Sequence, residues 1–232
     1  MAQEERAVVG APEFSVIIGI YNDWEPLNEC LRSLACLENP PSFEVIVVDD
    51  GSENSAPEAI ARWANRYPLT VVKQPHQGIS AARNRGLQAS SGQILVFTDA
   101  DCRFEPNCLS NLARAAEGSP HDYFQLYLTG DSSSLVGRAE KLRLMTFQRR
   151  ILQPDGRVQY LNTAGFAIRR SQVDQKKGLF DTSVPRGEDT LLLASLMRSG
   201  QLPFFVTDAR IEHAIPLSLT QCLVKDVQSA YL

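Results

Sequence analysis

Apolar and polar positions along the first half of the chain switch between two periods. Short β-branched runs end in polar loops, and each loop opens a stretch with apolar residues three and four apart. Phe14–Ile20 predicts a first strand. It leads through Tyr21-Asn22-Asp23 into a helix with Pro26 in its first turn and Leu27, Cys30, Leu31 and Leu34 on one face. Residues 43–48 predict a second strand. The helix after it has Ser55 and Glu58 spaced as a capping box, Ile60, Trp63, Ala64 and Tyr67 as its inner side, and Pro68 as its stop. Residues 69–72 predict a third strand, residues 80–89 a small-residue helix closed by Ser90-Ser91-Gly92, and residues 94–98 a fourth strand. Strands alternating with helices imply an α/β fold. Its central sheet is mostly parallel and Rossmann-like, with helices on both faces in three α/β/α layers.

The second half is less regular. It offers a basic helical stretch over 138–150, a strand at 166–168, a strong helix over 189–199 ahead of Gly200, and a short strand at 204–206. No repeat, low-complexity tract or linker interrupts the chain. One domain over 1–232 is the simplest division, with a donor half at 14–101 and an acceptor half at 102–232. The last periodic segment reaches Tyr231 and Leu232 without a helix stop signal, which leaves a longer natural chain open.

With 232 residues, 44% hydrophobic and 22% charged, the chain can fill one globular core, which argues against disorder and a solenoid. A net charge of −4 gives no general attraction to nucleic acid or anionic lipid, so a polyanion would need locally placed charge. The five cysteines, Cys30, Cys36, Cys102, Cys108 and Cys222, contain no CxxC pair and read as reduced thiols of a cytoplasmic protein. The first thirteen residues lack the apolar core of a signal peptide, and no run of about 18 apolar residues occurs.

In an open α/β sheet, ligands bind beyond the carboxyl ends of the strands. Here those ends are acidic: Tyr21-Asn22 follows the first strand, Asp49-Asp50-Gly51-Ser52 the second, and Asp99-Ala100-Asp101 the fourth. Clustered carboxylates raise one another's pKa and destabilise a fold unless a cation relieves them. Mg²⁺ or Mn²⁺ bridging a diphosphate would do so. A single acid after a strand is as well explained as a helix cap or turn former, but acidic strand ends gathered in register along one rim are not.

Phe14-Ser15-Val16-Ile17-Ile18 with Tyr21-Asn22, Val47-Val48-Asp49-Asp50-Gly51-Ser52, Gly78-Ile79-Ser80-Ala81-Ala82-Arg83-Asn84, and Thr98-Asp99-Ala100-Asp101 together resemble the family-2 glycosyltransferases of the GT-A fold. The resemblance covers residues 14 to about 213. It implies that Tyr21, with Asn22 beside it, lies against a nucleotide base that also donates a hydrogen bond to Asp50. Arg83 would approach the base or diphosphate, Asp99 the ribose, and Asp101 a metal facing the leaving group. Gly78 opens a helix whose free N–H groups could face phosphate, although a plain packing helix with Arg83 in solvent accounts for the same pattern.

Gly187-Glu188-Asp189 resembles the family's ED motif. By that resemblance Asp189, with Glu188 beside it, is the general base of an inverting transfer; the alternative is that both acids only cap the following helix. Asn162-Thr163-Ala164-Gly165 resembles the family's loop towards the acceptor, or is an ordinary turn. His213 stands where relatives place a metal or diphosphate ligand, though a lone histidine is often structural. His76 and His121 carry no comparable signal.

Processive synthases of the family carry Q-x-x-R-W, whereas this chain has Gln221-Cys222-Leu223-Val224-Lys225, so a transferase adding one or few sugars is expected. The stretch with Arg138, Lys141, Arg143, Arg149 and Arg150 mixes bases with Leu142, Leu144, Phe147 and Ile151. It reads either as a solvated face or as a peripheral contact with the inner face of a membrane. The expected partners are a UDP-, GDP- or dTDP-linked sugar donor and a saccharide or lipid-linked saccharide acceptor, with no nucleic acid. The expected setting is polysaccharide or glycolipid assembly. Two competing classes remain: a non-catalytic nucleotide-sugar-binding subunit, and a sugar nucleotidyltransferase, which should open with a Gly- and Arg-rich loop where this chain has Tyr21-Asn22-Asp23-Trp24.

Overall fold

The computed structural model describes residues 10–130, 134–174, 176–213 and 220. Its first half follows the alternation in the sequence. Strands β1 (Phe14–Ile20), β2 (Phe43–Asp49), β3 (Leu69–Lys73) and β4 (Ile94–Asp99) pair in parallel in the order β3-β2-β1-β4. All seven residues of β1 are buried, as expected of a strand covered on both faces.

The connecting helices are α1 (Trp24–Ala35), α2 (Glu58–Ala61) and α3 (Ile79–Ala89). In α1 the four residues Leu27, Cys30, Leu31 and Leu34 are buried, matching the spacing. The second helix is shorter than expected. It begins after Pro57 without a side-chain cap, tightens into a 3₁₀ turn at Arg62–Asn65 and leaves Ala64 exposed, so Ser55 and Glu58 form no capping box.

The second half contains β5 (Cys102–Phe104), α4 (Cys108–Ala116), β6 (Tyr123–Gly130), α5 (Leu135–Ile151), β7 (Phe166–Arg169), α6 (Glu188–Arg198) and β8 (Phe204–His213). The sequence reading lacked β5, α4 and β6, and gave β8 only its first residues. These strands extend the sheet to β3-β2-β1-β4-β7-β6-β8-β5. Antiparallel pairing enters at β4–β7, β6–β7 and β5–β8, so the sheet is mixed, with four of its seven pairings parallel.

Helices cover both faces. Val16, Ile18 and Val45 pack with Leu27, Leu31, Leu109 and Leu112 of α1 and α4 on one side. Ile17, Ile46, Val48 and Phe97 pack with Ala82, Leu87, Leu192 and Leu196 of α3 and α6 on the other. This is the expected three-layer α/β arrangement. Cys30, Cys36, Cys102 and Cys108 are free thiols. No helix among the described residues is long and apolar enough to cross a membrane. Cys222, residues 221–225 and the stretch to Leu232 lie outside the described residues.

Candidate active site

Parallel register brings the strand tips level: Ile20 lies opposite Asp49, and Gly19 opposite Asp99. A cleft of about 1170 Å³ opens above them. Helix α3 packs closely on β1 here, because a Cβ on Gly19 would come within 2.8 Å of the Ile79 Cδ1.

Asp50 reaches the cleft yet is only 3% exposed. Its carboxylate accepts from Gln74 Nε2 (2.7 Å), Gln77 N (2.9 Å) and Gly78 N (2.8 Å), and lies 2.9 Å from His76 Nδ1. Three loop donors thus occupy most of the roughly four acceptor directions of the carboxylate, and the side chain folds residues 74–78 against the sheet. Gly78 then enters α3 at φ 89°; a Cβ there would meet nothing, so the backbone angle and not space calls for glycine.

The loop presents His76, which the sequence reading passed over. Its ring lies 4.3 Å from that of Tyr21, tilted by 35°, and both line the cleft. Asn22 does not line it. At φ 62°, its backbone N–H donates to Ser52 Oγ and its Oδ1 accepts from Glu53 N, tying the loops after β1 and β2 together.

Arg83 is 3% exposed and does not reach out to solvent. Its Nη2 donates to Asp99 Oδ1 (2.7 Å) and its Nη1 to Glu188 Oε1 (2.5 Å), while the guanidinium lies over the Phe180 ring at 5.7 Å. One buried cation thus joins a strand tip of the first half to the acidic pair of the second.

Asp101 and His213 meet because antiparallel pairing sets His213 opposite Cys102. Asp101 Oδ1 lies 3.4 Å from His213 Nε2, and the Cys102 sulfur is within 4.8 Å of both ligand atoms. Burial, with the charge of Asp99, pushes the Cys102 thiol pKa well up. For a hard divalent ion the better donors of the three are the Asp101 carboxylate and the His213 imidazole. Asp23 also lines the cleft; burial and the Asp101 charge raise its pKa.

Helix α6 starts after Gly187 at φ 82°, and places Glu188 and Asp189 in its first turn, where the helix dipole favours negative charge. Asp189 Oδ1 accepts from Thr190 N at 2.6 Å. Burial, and then the charge of Glu188, hold the Asp189 carboxyl above the usual carboxylate range, making it a stronger base. The Tyr160 hydroxyl, pushed up to about 12 by burial with Asp189 adding to the shift, is a neighbour the sequence reading missed. Arg186 is another residue it missed, lining the cleft beside this turn.

Asn162 lines the cleft and caps a short 3₁₀ turn, its Oδ1 accepting from Ala164 N. Gly165 does not line it. It is buried where a Cβ would lie 2.8 Å from Leu128 Cδ2, and its carbonyl accepts from Gln125 Nε2. Of the expected site residues, Tyr21, Asp50, Gly78, Arg83, Asp99 and Asp101 gather at the cleft with Asn162, Glu188, Asp189 and His213. Asn22 and Gly165 are framework.

A family model for glycosyl transferase family 2 matches residues 15–177. The chain belongs to that family. Its relatives include the glycosyltransferase AglE of Haloferax volcanii, 39% identical over 94 residues, or 39% of this chain and 31% of AglE. The undecaprenyl-phosphate 4-deoxy-4-formamido-L-arabinose transferase of Pseudomonas aeruginosa is 36% identical over 110 residues, covering 45% and 32% of the two chains. The matches thus span about a third of the relatives' length. Among solved structures, S. aureus TarS 1-349 in complex with UDP-GlcNAc superposes with a TM-score of 0.70 at 20% identity, over 90% of this chain and 60% of that one. The mannosyltransferase PcManGT from Pyrobaculum calidifontis, in complex with GDP-Man and Mn²⁺, gives 0.69 at 21% identity over 95% and 65%. At these identities the likeness is one of fold, the GT-A arrangement of the family.

Proposed function

We propose that this family-2 chain moves a sugar from a nucleoside-diphosphate donor to a hydroxyl acceptor with inversion, in polysaccharide or glycolipid assembly. The observation that carries the reading is the convergence of Asp99, Asp101, Glu188 and Asp189 on one cleft, with Arg83 and His213 among them. Such a concentration of acid fits a ligand that brings cations and phosphate.

Tyr21 and His76 offer rings to the base, and Asp50 keeps the loop and the head of α3 facing the phosphates. Asp99, fixed by Arg83, is turned towards the ribose. Asp189 takes the proton from the acceptor hydroxyl as its oxygen bonds to the anomeric carbon. The bond from that carbon to the diphosphate oxygen breaks, and the oxygen keeps the electron pair. Asn162 lies at the acceptor end. The carboxylate of Asp101 and the imidazole of His213 suit Mn²⁺ or Mg²⁺, which when bound supplies positive charge against the diphosphate. The names of the relatives, which include a transferase acting on undecaprenyl phosphate, support a saccharide or lipid-linked acceptor. An intact acidic pair at the head of α6 favours the enzyme over a non-catalytic binder.

Thermal unfolding with UDP, GDP and dTDP, each with Mn²⁺, Mg²⁺ or a chelator, tests the reading. A donor nucleotide at a hundred times its Kd adds about 2.7 kcal/mol, or roughly 5–11 °C for a domain of this size. The rise should require the ion. If no nucleoside diphosphate shifts the transition under any of these conditions, the reading fails.

A further inference from the structure

Helix α5 holds to the sheet by one side only. Gln148 accepts from Leu128 N (2.9 Å) and donates to Leu128 O (2.7 Å), and Leu144, Met145 and Ile151 pack inward beside it. Leu135, Arg138, Leu142, Arg143, Arg149 and Arg150 are exposed. At 100° per residue Leu135 and Leu142 fall within about 20° of each other, Arg138 and Arg149 flank them on one side, and Arg143 and Arg150 on the other.

Leu135 is 77% and Leu142 65% exposed, more than any other large apolar side chain described. The four arginines belong to a chain whose net charge is −4, and the nearby acid, Glu140, is engaged with Arg143. None of the described cavities is lined by α5. An apolar seam flanked by guanidiniums matches an interface with phosphate above and hydrocarbon below. We propose that this arc of α5 docks on the surface of an anionic lipid bilayer. The two leucines enter the acyl boundary and the arginines meet lipid phosphates, while the helix lies in the plane and does not span. The inference goes beyond the transfer reaction and does not depend on it.

Flotation of the full chain with vesicles of phosphatidylglycerol and phosphatidylcholine, against phosphatidylcholine alone, tests it. Binding is expected only to the anionic vesicles and should fall as salt is raised. Arg138→Ala with Arg149→Ala should lower the partition coefficient roughly 30-fold. Leu135→Ser with Leu142→Ser should lower it about tenfold or more. Unchanged melting temperatures check that these exposed substitutions leave the fold intact. Failure to float with anionic vesicles, equal binding to neutral ones, or retention by both double variants would overturn the proposal. So would a lipid-free dimer that the leucine variant dissociates, since the seam would then belong to a second copy.

Discussion

Arg83→Met keeps an unbranched apolar stem but deletes the guanidinium that lies over Phe180 and holds Asp99 and Glu188. Asp99 is about a third exposed, and water screens most of its loss. Glu188 is 9% exposed and carries the penalty, because it is left as a buried charge beside Asp189. Breaking one side of such a pair costs about 3–5 kcal/mol, which for this size of domain lowers the melting temperature by roughly 6–20 °C. The deficit should depend on pH. Asp189 already titrates above its unfolded range, and Arg83 is one of the groups holding it down. A folded-state pKa raised further gives stability that is present below the unfolded value and lost as pH rises through the folded one, so the gap between variant and parent opens on going from acid to neutral pH. Thermal unfolding monitored by circular dichroism from about pH 4.5 to about pH 8 measures this window. A gap below about 1 kcal/mol, or one that is flat with pH, would refute a shared buried cation as the link between the two halves.

Asp189→Asn should lower turnover by about 10²- to 10⁴-fold. Its melting temperature at neutral pH should match or exceed the parent's, because a raised folded pKa means ionised Asp189 costs stability there; a clear fall would make the acid a structural cap. In the parent, the acidic limb of kcat/KM should lie above the usual carboxylate range, as a pH series with saturating acceptor would record. His213→Ala should abolish the Mn²⁺-dependent part of the nucleotide-induced thermal shift while leaving the unliganded melting temperature near the parent's; an undiminished shift would remove His213 from the metal. Gly86→Ala offers a helix gain of about 1 kcal/mol but drives a methyl into Ile17 Cγ2, with Val48 Cγ2 at 3.3 Å, at an overpacking cost of about 1–3 kcal/mol, so a net loss of up to about 2 kcal/mol in denaturant melts is expected.

The parallel half was legible in the sequence because each strand there is a near-continuous apolar run and each helix keeps its apolar residues on one side. β6 was not. It is buried throughout, yet Gln125 and Thr129 interrupt its apolar character. Besides a local bond to Leu126 O, Gln125 is satisfied through tertiary contacts, donating to Gly165 O (2.9 Å) and accepting from Asn162 N (2.8 Å), and periodicity carries no trace of these. The site shows the same limit. Asp50, Arg83 and Glu188 stand out as chemistry-bearing residues, but which of them spend their hydrogen-bonding capacity on one another depends on distances across the sheet. Asp50 accepts three bonds from the loop 74–78, and Arg83 donates to two acids 16 and 105 positions away. His76 escaped notice because nothing in its own segment announces a site; the tilted ring contact with Tyr21 exists only once the loop after β3, held by Asp50 at the tip of β2, lies beside the end of β1.

The pairing of β5 with β8 has a consequence for how the protein is made. A growing chain leaves the ribosome N-terminus first, so β1 to β4 and their acidic tips are synthesised well before His213. An early folding intermediate could collapse around the parallel strands, but it would lack the imidazole that β8 delivers opposite Cys102. On the metal role proposed for Asp101, competence to hold a cation there therefore arrives only with β8.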